Sequence, residues 1–337
     1  MDQATSTQNK SQDDVWINIG SDSNCTPYTE FLYAKCLAFE GLSLSKFGFL
    51  LIHPTVEKIV LESCSWGDTS TIPSDTSMAN AHEIRMYDMD IDGHSIEQIV
   101  STFPRLRSIT YQRPYAFEDT NFGGIGYGLV HYGQKIENLD ITNEDLRPFS
   151  SWFYSLAPMK SLKTLEISLE LLIGFHDQPY GDWYEYEGSV FNKVGEAPDY
   201  DAVYNGFGDW TFLNKLPRSL ESLTIDIEEP KLGVYYNTYE RYGAKFEELI
   251  SSRRFSKLER VIAPGMDKVA ERIRDKLPNW VVDRSGCILK RIAPPPPAAE
   301  GEESIDDELE IDEENPENYP YDGCQGESWY ACDPWKY

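Results

Sequence analysis

The sequence has few basic residues and no long hydrophobic run. Lys and Arg together number 30, against 57 Asp and Glu, so the formal net charge of the chain is −27. Binding to a nucleic-acid backbone or to an anionic membrane surface requires concentrated Lys and Arg, so neither is predicted as a partner. No window approaches the run of about 18 apolar residues that a membrane-spanning helix needs.

The amino-terminal string MDQATSTQNKSQDD has neither a basic start nor an apolar stretch, so no secretory signal is predicted. We therefore expect an intracellular protein, cytoplasmic or nuclear. The six cysteines are scattered without a CxxC pair, which favours reduced thiols over a disulfide framework or a zinc site. The five histidines are spread out without HxxxH or HxH spacing, so no metal site is predicted.

Signatures of catalysis are also missing from the sequence. It contains no GxSxG string, no local Ser/His/Asp grouping and no motif for a nucleophilic cysteine. The glycine cluster NFGGIGYGLVHYG lacks both the Gly-Lys-Ser/Thr of a P-loop and the strand–helix context of a dinucleotide fingerprint. We interpret it as a connecting loop, and we expect a non-enzymatic protein with no catalytic residues and no cofactor.

Composition divides the chain into three parts. Residues 1–30 are polar and predict a disordered lead-in. Residues 294–337 begin with four prolines and continue as an acidic segment, which predicts a disordered tail. Residues 31–293 contain the apolar residues of a folded body.

A short string with apolar residues at its first, fourth and sixth positions recurs along this body. The first four spacings between consecutive strings are 25, 25, 30 and 26 residues. The strings are VEKIVL from Val56, AHEIRM from Ala81, LRSITY from Leu106, IENLDI from Ile136, LKTLEI from Leu162, LESLTI from Leu220 and LERVIA from Leu258. Such regular spacing predicts a repeat protein.

Each string predicts a short strand whose alternate residues point inward, and several strings follow a stretch of helical periodicity that ends near a proline. One example is SIEQIVSTFP, which precedes LRSITY. Leu37 and Phe39 are predicted as the strand residues of a preceding, worn repeat. Because one helix–turn–strand unit cannot bury its own apolar face, the units must stack, and the pattern predicts an α/β solenoid of irregular repeats. Residues 265–293 are predicted to cap it with a helix and a strand pair around Ser285-Gly286.

The strings FGFLLIHPTVEKIVLESCSW, FPRLRSITYQRP and LPRSLESLTIDI resemble the leucine-rich repeats of fungal F-box and F-box-like proteins. The resemblance covers about residues 37–264 and implies a leucine-rich-repeat solenoid. It also implies a protein-binding function, as the substrate-recognition subunit of a cullin-based ubiquitin ligase. No LPxE-type string typical of an F-box occurs in residues 1–36, so the contact with a cullin-ligase adaptor stays open.

The strings at Leu162 and Leu220 are 58 residues apart, and the segment 174–212 between them is rich in aromatic and acidic residues. Insertions in repeat proteins often form the binding face, and Tyr and Trp are frequent at interfaces. The alternative is a degenerate repeat whose aromatic side chains cover the helical side. If the segment binds, its charge predicts a partner with a basic or neutral polar surface.

Candidate partner-binding residues are those that alternate with the inward positions of each string, together with aromatic residues of the insertion. They are Lys58, Arg85, Ser108, Asn138, Asp140, Thr164, Glu166, Ser222, Thr224, Trp183, Tyr184, Tyr186 and Trp210. Besides the ligase subunit, the alternatives are a stand-alone scaffold or regulatory binding protein, and an enzyme on a repeat scaffold.

Overall fold

A computed structural model describes residues 14–16, 34–44, 51–66, 76–113, 122–143, 155–173, 212–226 and 239–292. All of them belong to one unit, Met1–Ala293. They form an α/β fold with an open, mostly parallel sheet in which β1 to β9 follow in chain order, and then β11 and β10. The strands are β1 (Asp14–Trp16), β2 (Cys36–Glu40), β3 (Lys58–Glu62), β4 (Glu83–Tyr87), β5 (Ser108–Arg113), β6 (Asn138–Asn143), β7 (Thr164–Ser168), β8 (Ser222–Asp226), β9 (Arg260–Ile262), β10 (Trp280–Val282) and β11 (Ile288–Arg291).

Helices occupy several of the connections between strands. The α-helices are α1 (Gly93–Thr102), α2 (Phe122–Tyr132), α3 (Leu169–Ile173), α4 (Tyr239–Ser251) and α5 (Met266–Ile273), and 3₁₀ helices span Phe212–Lys215 and Arg253–Phe255. Each helix of the described residues is too short or too polar to cross a lipid bilayer. Within the predicted lead-in, 1–30, only β1 belongs to the described residues, and the predicted tail, 294–337, lies outside them.

The strands begin at the third residue of every repeated string, and the parallel register pairs third residue with third residue from β3 to β9. Strand β2 continues this register, with Leu37 opposite Ile59 and Phe39 opposite Leu61. Both β2 side chains are buried, which confirms the prediction of a strand at this point. A shift of one residue would turn every apolar side chain to the other side of the sheet, so the apolar pattern itself fixes the register.

The core consists of the first, fourth and sixth residues of the strings. None of these side chains is more than 2% exposed. Together they form three apolar rows that run across the strands, against which the helices pack. The alternation predicted from the sequence is therefore confirmed from β3 to β9.

A repeated turn follows β2, β3 and β4. Gly41, Ser63 and Asp88, the residues directly after these strands, have positive φ values of 65°, 49° and 50°. The backbone N–H of each donates to the last carbonyl paired on the next strand, at 2.9 Å in all three cases. Three successive connections therefore leave the sheet with the same geometry.

Helix α1 forms where the sequence predicts it. The Asp92 side chain accepts from the backbone N–H of Ser95 at 2.7 Å, and the Ser95 hydroxyl reaches back to the N–H of Asp92, which completes a capping box. The apolar residues Ile96, Ile99 and Phe103 are buried, as their helical spacing predicts.

The prediction of a connecting loop at the glycine cluster is wrong, because this segment forms helix α2. A Cβ atom built on Gly128 would lie 2.7 Å from the carbonyl oxygen of Gly93, and one on Gly93 would lie 2.5 Å from that of Gly124. Glycine therefore lets the backbones of α1 and α2 approach more closely than any side chain would allow. Contact between the helices outweighs the poor helix propensity of glycine.

The carboxyl-terminal part of the described unit has the predicted helix and strand pair. Strand β10 pairs antiparallel with β11, which in turn pairs antiparallel with β9. The Arg291 guanidinium stacks over the Trp280 ring at 4.8 Å and donates to the carbonyl oxygen of Ser256 at 2.6 Å. The stacking joins the two strands of the terminal hairpin, and the hydrogen bond to Ser256 ties the hairpin to the preceding repeat.

Tyr111 predicts a specific loss of stability at high pH. Its side chain is fully buried, and its hydroxyl donates to the carbonyl oxygen of Met89 at 3.0 Å. Burial raises the pKa of Tyr111 to about 12 from the ordinary value of 10.0. Because the pKa is higher in the folded state, the contribution of Tyr111 to stability is complete below pH 10 and is lost as the pH rises towards 12.

We therefore expect the free energy of unfolding to fall by about 2 kcal/mol more in the wild type than in Tyr111→Phe between pH 10 and 12. Urea denaturation of both proteins across this range measures the difference. Parallel pH profiles for the two proteins would contradict the assignment.

Candidate binding face of the parallel sheet

The side of the sheet opposite the core, here called the outward face, is formed by the third, fifth and seventh residues of the strings. Successive residues of a strand point to opposite sides, so burial of the fourth and sixth residues places these positions outward. The parallel register aligns these residues into rows that run across the strands, and neighbouring residues in a row are about 4.8 Å apart. Rigid strands therefore hold an ordered array of polar side chains.

Nine of the predicted binding residues lie on this face; Asn138 is exposed and the other eight are half-buried. They are Lys58, Arg85, Ser108, Asn138, Asp140, Thr164, Glu166, Ser222 and Thr224. The four aromatic candidates, Trp183, Tyr184, Tyr186 and Trp210, lie outside the described residues, as does most of the insertion 174–212.

The part of the outward face on β3 and β4 is neutral, because it carries two cations, Lys58 and Arg85, and two carboxylates, Glu62 and Glu83. Glu83 accepts from Arg85 Nε at 2.5 Å and lies 3.6 Å from Lys58 Nζ. Burial lowers the pKa of Arg85, but the hydrogen bond and the charge of Glu83 outweigh burial and leave that pKa above its ordinary value. The Glu83 carboxylate thus pairs with both Arg85 and Lys58 at this end of the face.

Three carboxylates on consecutive strands, Asp140 on β6, Glu166 on β7 and Asp226 on β8, form what we call the acidic strip. Glu166 is aligned with Asp140 by the register of β6 and β7. Asp140 accepts hydrogen bonds from Gln112 Nε2 at 3.0 Å and from the Thr142 hydroxyl at 3.4 Å. Within the part of the chain that the structure describes, Glu166 forms no hydrogen bond or ion pair.

The electrostatics of the acidic strip differ from those of the neutralised end. Burial raises the pKa of Glu166, and the charges of Asp140 and Asp226 raise it further. Burial also raises the pKa of Asp140, although its hydrogen bonds to Gln112 and Thr142 oppose the shift. Charge on these groups is costly in the isolated protein, so a cation placed over the strip would be favoured.

Beyond the strip, the last strands carry basic and aliphatic side chains. Arg260 on β9 is opposite Lys290 on β11, and Ile262 is opposite Ile288. Arg260 and Lys290 are exposed, whereas both isoleucines are half-buried. The outward face therefore changes along the sheet from neutralised to acidic and then to basic.

Sequence reasoning missed several residues of this face. Asp226 is the seventh residue of its string, one alternation beyond the six that define the repeat, so a seven-residue string would have included it. Glu83 occupies an outward third position but was not predicted as a binding residue. Its charge-balancing role depends on reaching Lys58 on β3 as well as Arg85 on its own strand. Lys290 follows the strings altogether, on a strand that reverses direction.

The acidic strip is not a metal site, since nowhere in the described ranges do three His, Cys, Asp or Glu side chains lie in a group that could hold a metal ion. Its carboxylates are spread over successive strands, which suits separate hydrogen bonds to cationic or polar groups of a larger partner.

No protein-family model matches this chain. No curated protein matches it in sequence.

Proposed function

We propose that the described sheet and helices form a leucine-rich-repeat solenoid. Three observations support this proposal: strands that begin at the same position of each string, a constant parallel register and the repeated turn after β2, β3 and β4. Each unit leaves an apolar edge that the next unit covers, as in stacked repeats.

The proposed function is non-enzymatic binding of a protein through the outward face. Glu166 of the acidic strip carries this proposal, because no described residue pairs with its carboxylate, whereas Glu83 on the same face is paired with Lys58 and Arg85. A Lys or Arg side chain of a partner would be stabilised over Glu166, and the neighbouring Ser and Thr hydroxyls can donate or accept hydrogen bonds. The partner therefore has a basic or neutral polar surface.

The face suits a macromolecule better than a small substrate. Small molecules are held in concave sites that bury most of their surface, whereas this array extends over the strands from β3 to β8. Rigid strands also lose little conformational entropy when a partner binds. The resemblance to fungal F-box-like proteins favours a substrate-recognition subunit of a cullin-based ubiquitin ligase.

Charge reversal at Glu166 tests the function. We expect Glu166→Lys to reduce recovery of the partner about tenfold when tagged full-length protein is purified from its own cells, because a cation then faces the partner's cation. The substituted Lys can pair with Asp140 and Asp226, so the fold should not suffer. Quantitative mass spectrometry of the copurifying proteins measures the effect.

Glu271→Lys, an equal charge change at an exposed position of α5, is the matched control and should recover the partner as the wild type does. Recovery of cullin and its adaptor with the partner would support the ligase subunit, whereas a stoichiometric partner without them would indicate a stand-alone scaffold. Equal recovery by the wild type and Glu166→Lys would contradict binding at the strip.

A further inference from the structure

The terminal strands place two cations side by side without a described carboxylate between them. Arg260 and Lys290 are directly opposite each other on antiparallel strands, and both are exposed. Like charges in this arrangement destabilise a sheet. Among the residues that the structure describes, neither side chain forms an ion pair or a hydrogen bond, although the chain has nearly twice as many acids as bases. The Asp283 carboxylate, which accepts a hydrogen bond from the Ser285 hydroxyl, is close enough to interact with the charge of Lys290 without forming an ion pair.

Aliphatic side chains surround this pair on the same side of the sheet. Val281 is opposite Lys290 and is 40% exposed. Ile292 is two residues beyond Lys290 and therefore on the same side, with 64% of its surface exposed. Contiguous aliphatic surface of this kind, ringed by polar groups, is typical of interaction sites. We call these four residues, with Ile262 and Ile288, the terminal patch.

The chemistry of the terminal patch selects one kind of occupant. Two adjacent cations attract carboxylates, and the branched aliphatic side chains around them gain by losing contact with water. Two cations are too few to neutralise the phosphates of a nucleic acid. Acidic residues of the chain more than about 10 Å away are largely screened at physiological salt, whereas direct contacts at the patch are not.

We propose that the terminal patch binds an extended protein segment that carries both Asp or Glu and aliphatic residues on the same side. In an extended segment, residues i, i+2 and i+4 share one side, so carboxylates on that side can reach Arg260 and Lys290 while aliphatic groups on the same side cover Val281 and Ile292. The site is separate from the acidic strip in strands, residues and charge. A partner that uses both surfaces is oriented by their opposite charges.

A phage-displayed library of random dodecapeptides, selected on the full chain, tests the proposal. We expect the selected peptides to be enriched in Asp and Glu interspersed with Leu, Ile and Val. A synthetic peptide from this pool should bind Arg260→Glu/Lys290→Glu about tenfold more weakly than the wild type, since two exposed charge contacts are lost. Arg260→Gln/Lys290→Gln removes the like-charge repulsion from the fold and should also weaken binding.

The control is Arg218→Glu/Lys257→Glu, which reverses two exposed cations outside the patch and should leave peptide binding unchanged. A selected pool without acidic enrichment, or equal binding by the patch variants, would overturn the proposal. Self-association of the wild type in sedimentation velocity that Arg260→Glu/Lys290→Glu abolishes would assign the patch to a second copy and would overturn it as well.

Discussion

Replacing Gly128 with alanine is expected to lower the free energy of unfolding by about 3 kcal/mol, as overpacking of a rigid contact does. The new Cβ would lie 2.7 Å from the carbonyl oxygen of Gly93 and 3.1 Å from two side-chain carbons of Ile96. Backbone cannot move aside as a side chain can, so α1 and α2 must separate. Urea denaturation followed by circular dichroism measures the change.

Gly243→Ala in α4 is the matched control, because the same substitution meets only the flexible end of Arg272, at 3.3 Å. Alanine is the better helix former, so we expect this variant to be as stable as the wild type or more stable by up to about 1 kcal/mol. Equal destabilisation by both substitutions would mean that the close approach of α1 and α2 is not what Gly128 provides.

Truncating an inward residue of the sheet should be about as costly. Leu165 is fully buried in the fourth-position row of β7, so Leu165→Ala leaves a cavity and is expected to cost about 3 kcal/mol. Thr164 precedes it on the outward face and is half-buried. Thr164→Ala should change the free energy of unfolding by less than about 0.5 kcal/mol.

The contrast between these neighbouring positions tests the register of the sheet by chemical denaturation. Similar costs at both residues, or a larger cost at Thr164, would contradict the assignment of the two faces. The comparison needs no knowledge of the partner.

The sheet could be predicted because its apolar residues repeat at fixed positions. The apolar residues at the first, fourth and sixth positions of each string can all be buried in only one arrangement of the strands. That arrangement also fixes the register between neighbouring strands. Helix α2 could not be predicted in this way. Glycine favours loops on its own, and the close approach of Gly93 to Gly124 and Gly128, which requires glycine, is a tertiary contact that the sequence pattern does not reveal.

The positions of the candidate site residues could be predicted, but their charge balance could not. Alternation assigns Arg85, Asp140 and Glu166 to one side of the sheet. Glu83 compensates Arg85, whereas burial and the charge of Asp140 raise the pKa of Glu166. Both outcomes depend on which strands are adjacent and on how far the side chains reach. Likewise, the terminal patch exists only because β11 returns antiparallel beside β9.

If the outward face of the sheet binds the partner protein, the partner should lie within crosslinking distance of that face. Site-specific photocrosslinking measures this, with a benzophenone amino acid at outward Ser222 in one variant and at exposed His131 of helix α2 in another. We expect a covalent adduct with the partner from position 222 and none from position 131. An adduct from position 131 alone, or none from either position, would contradict binding at the outward face.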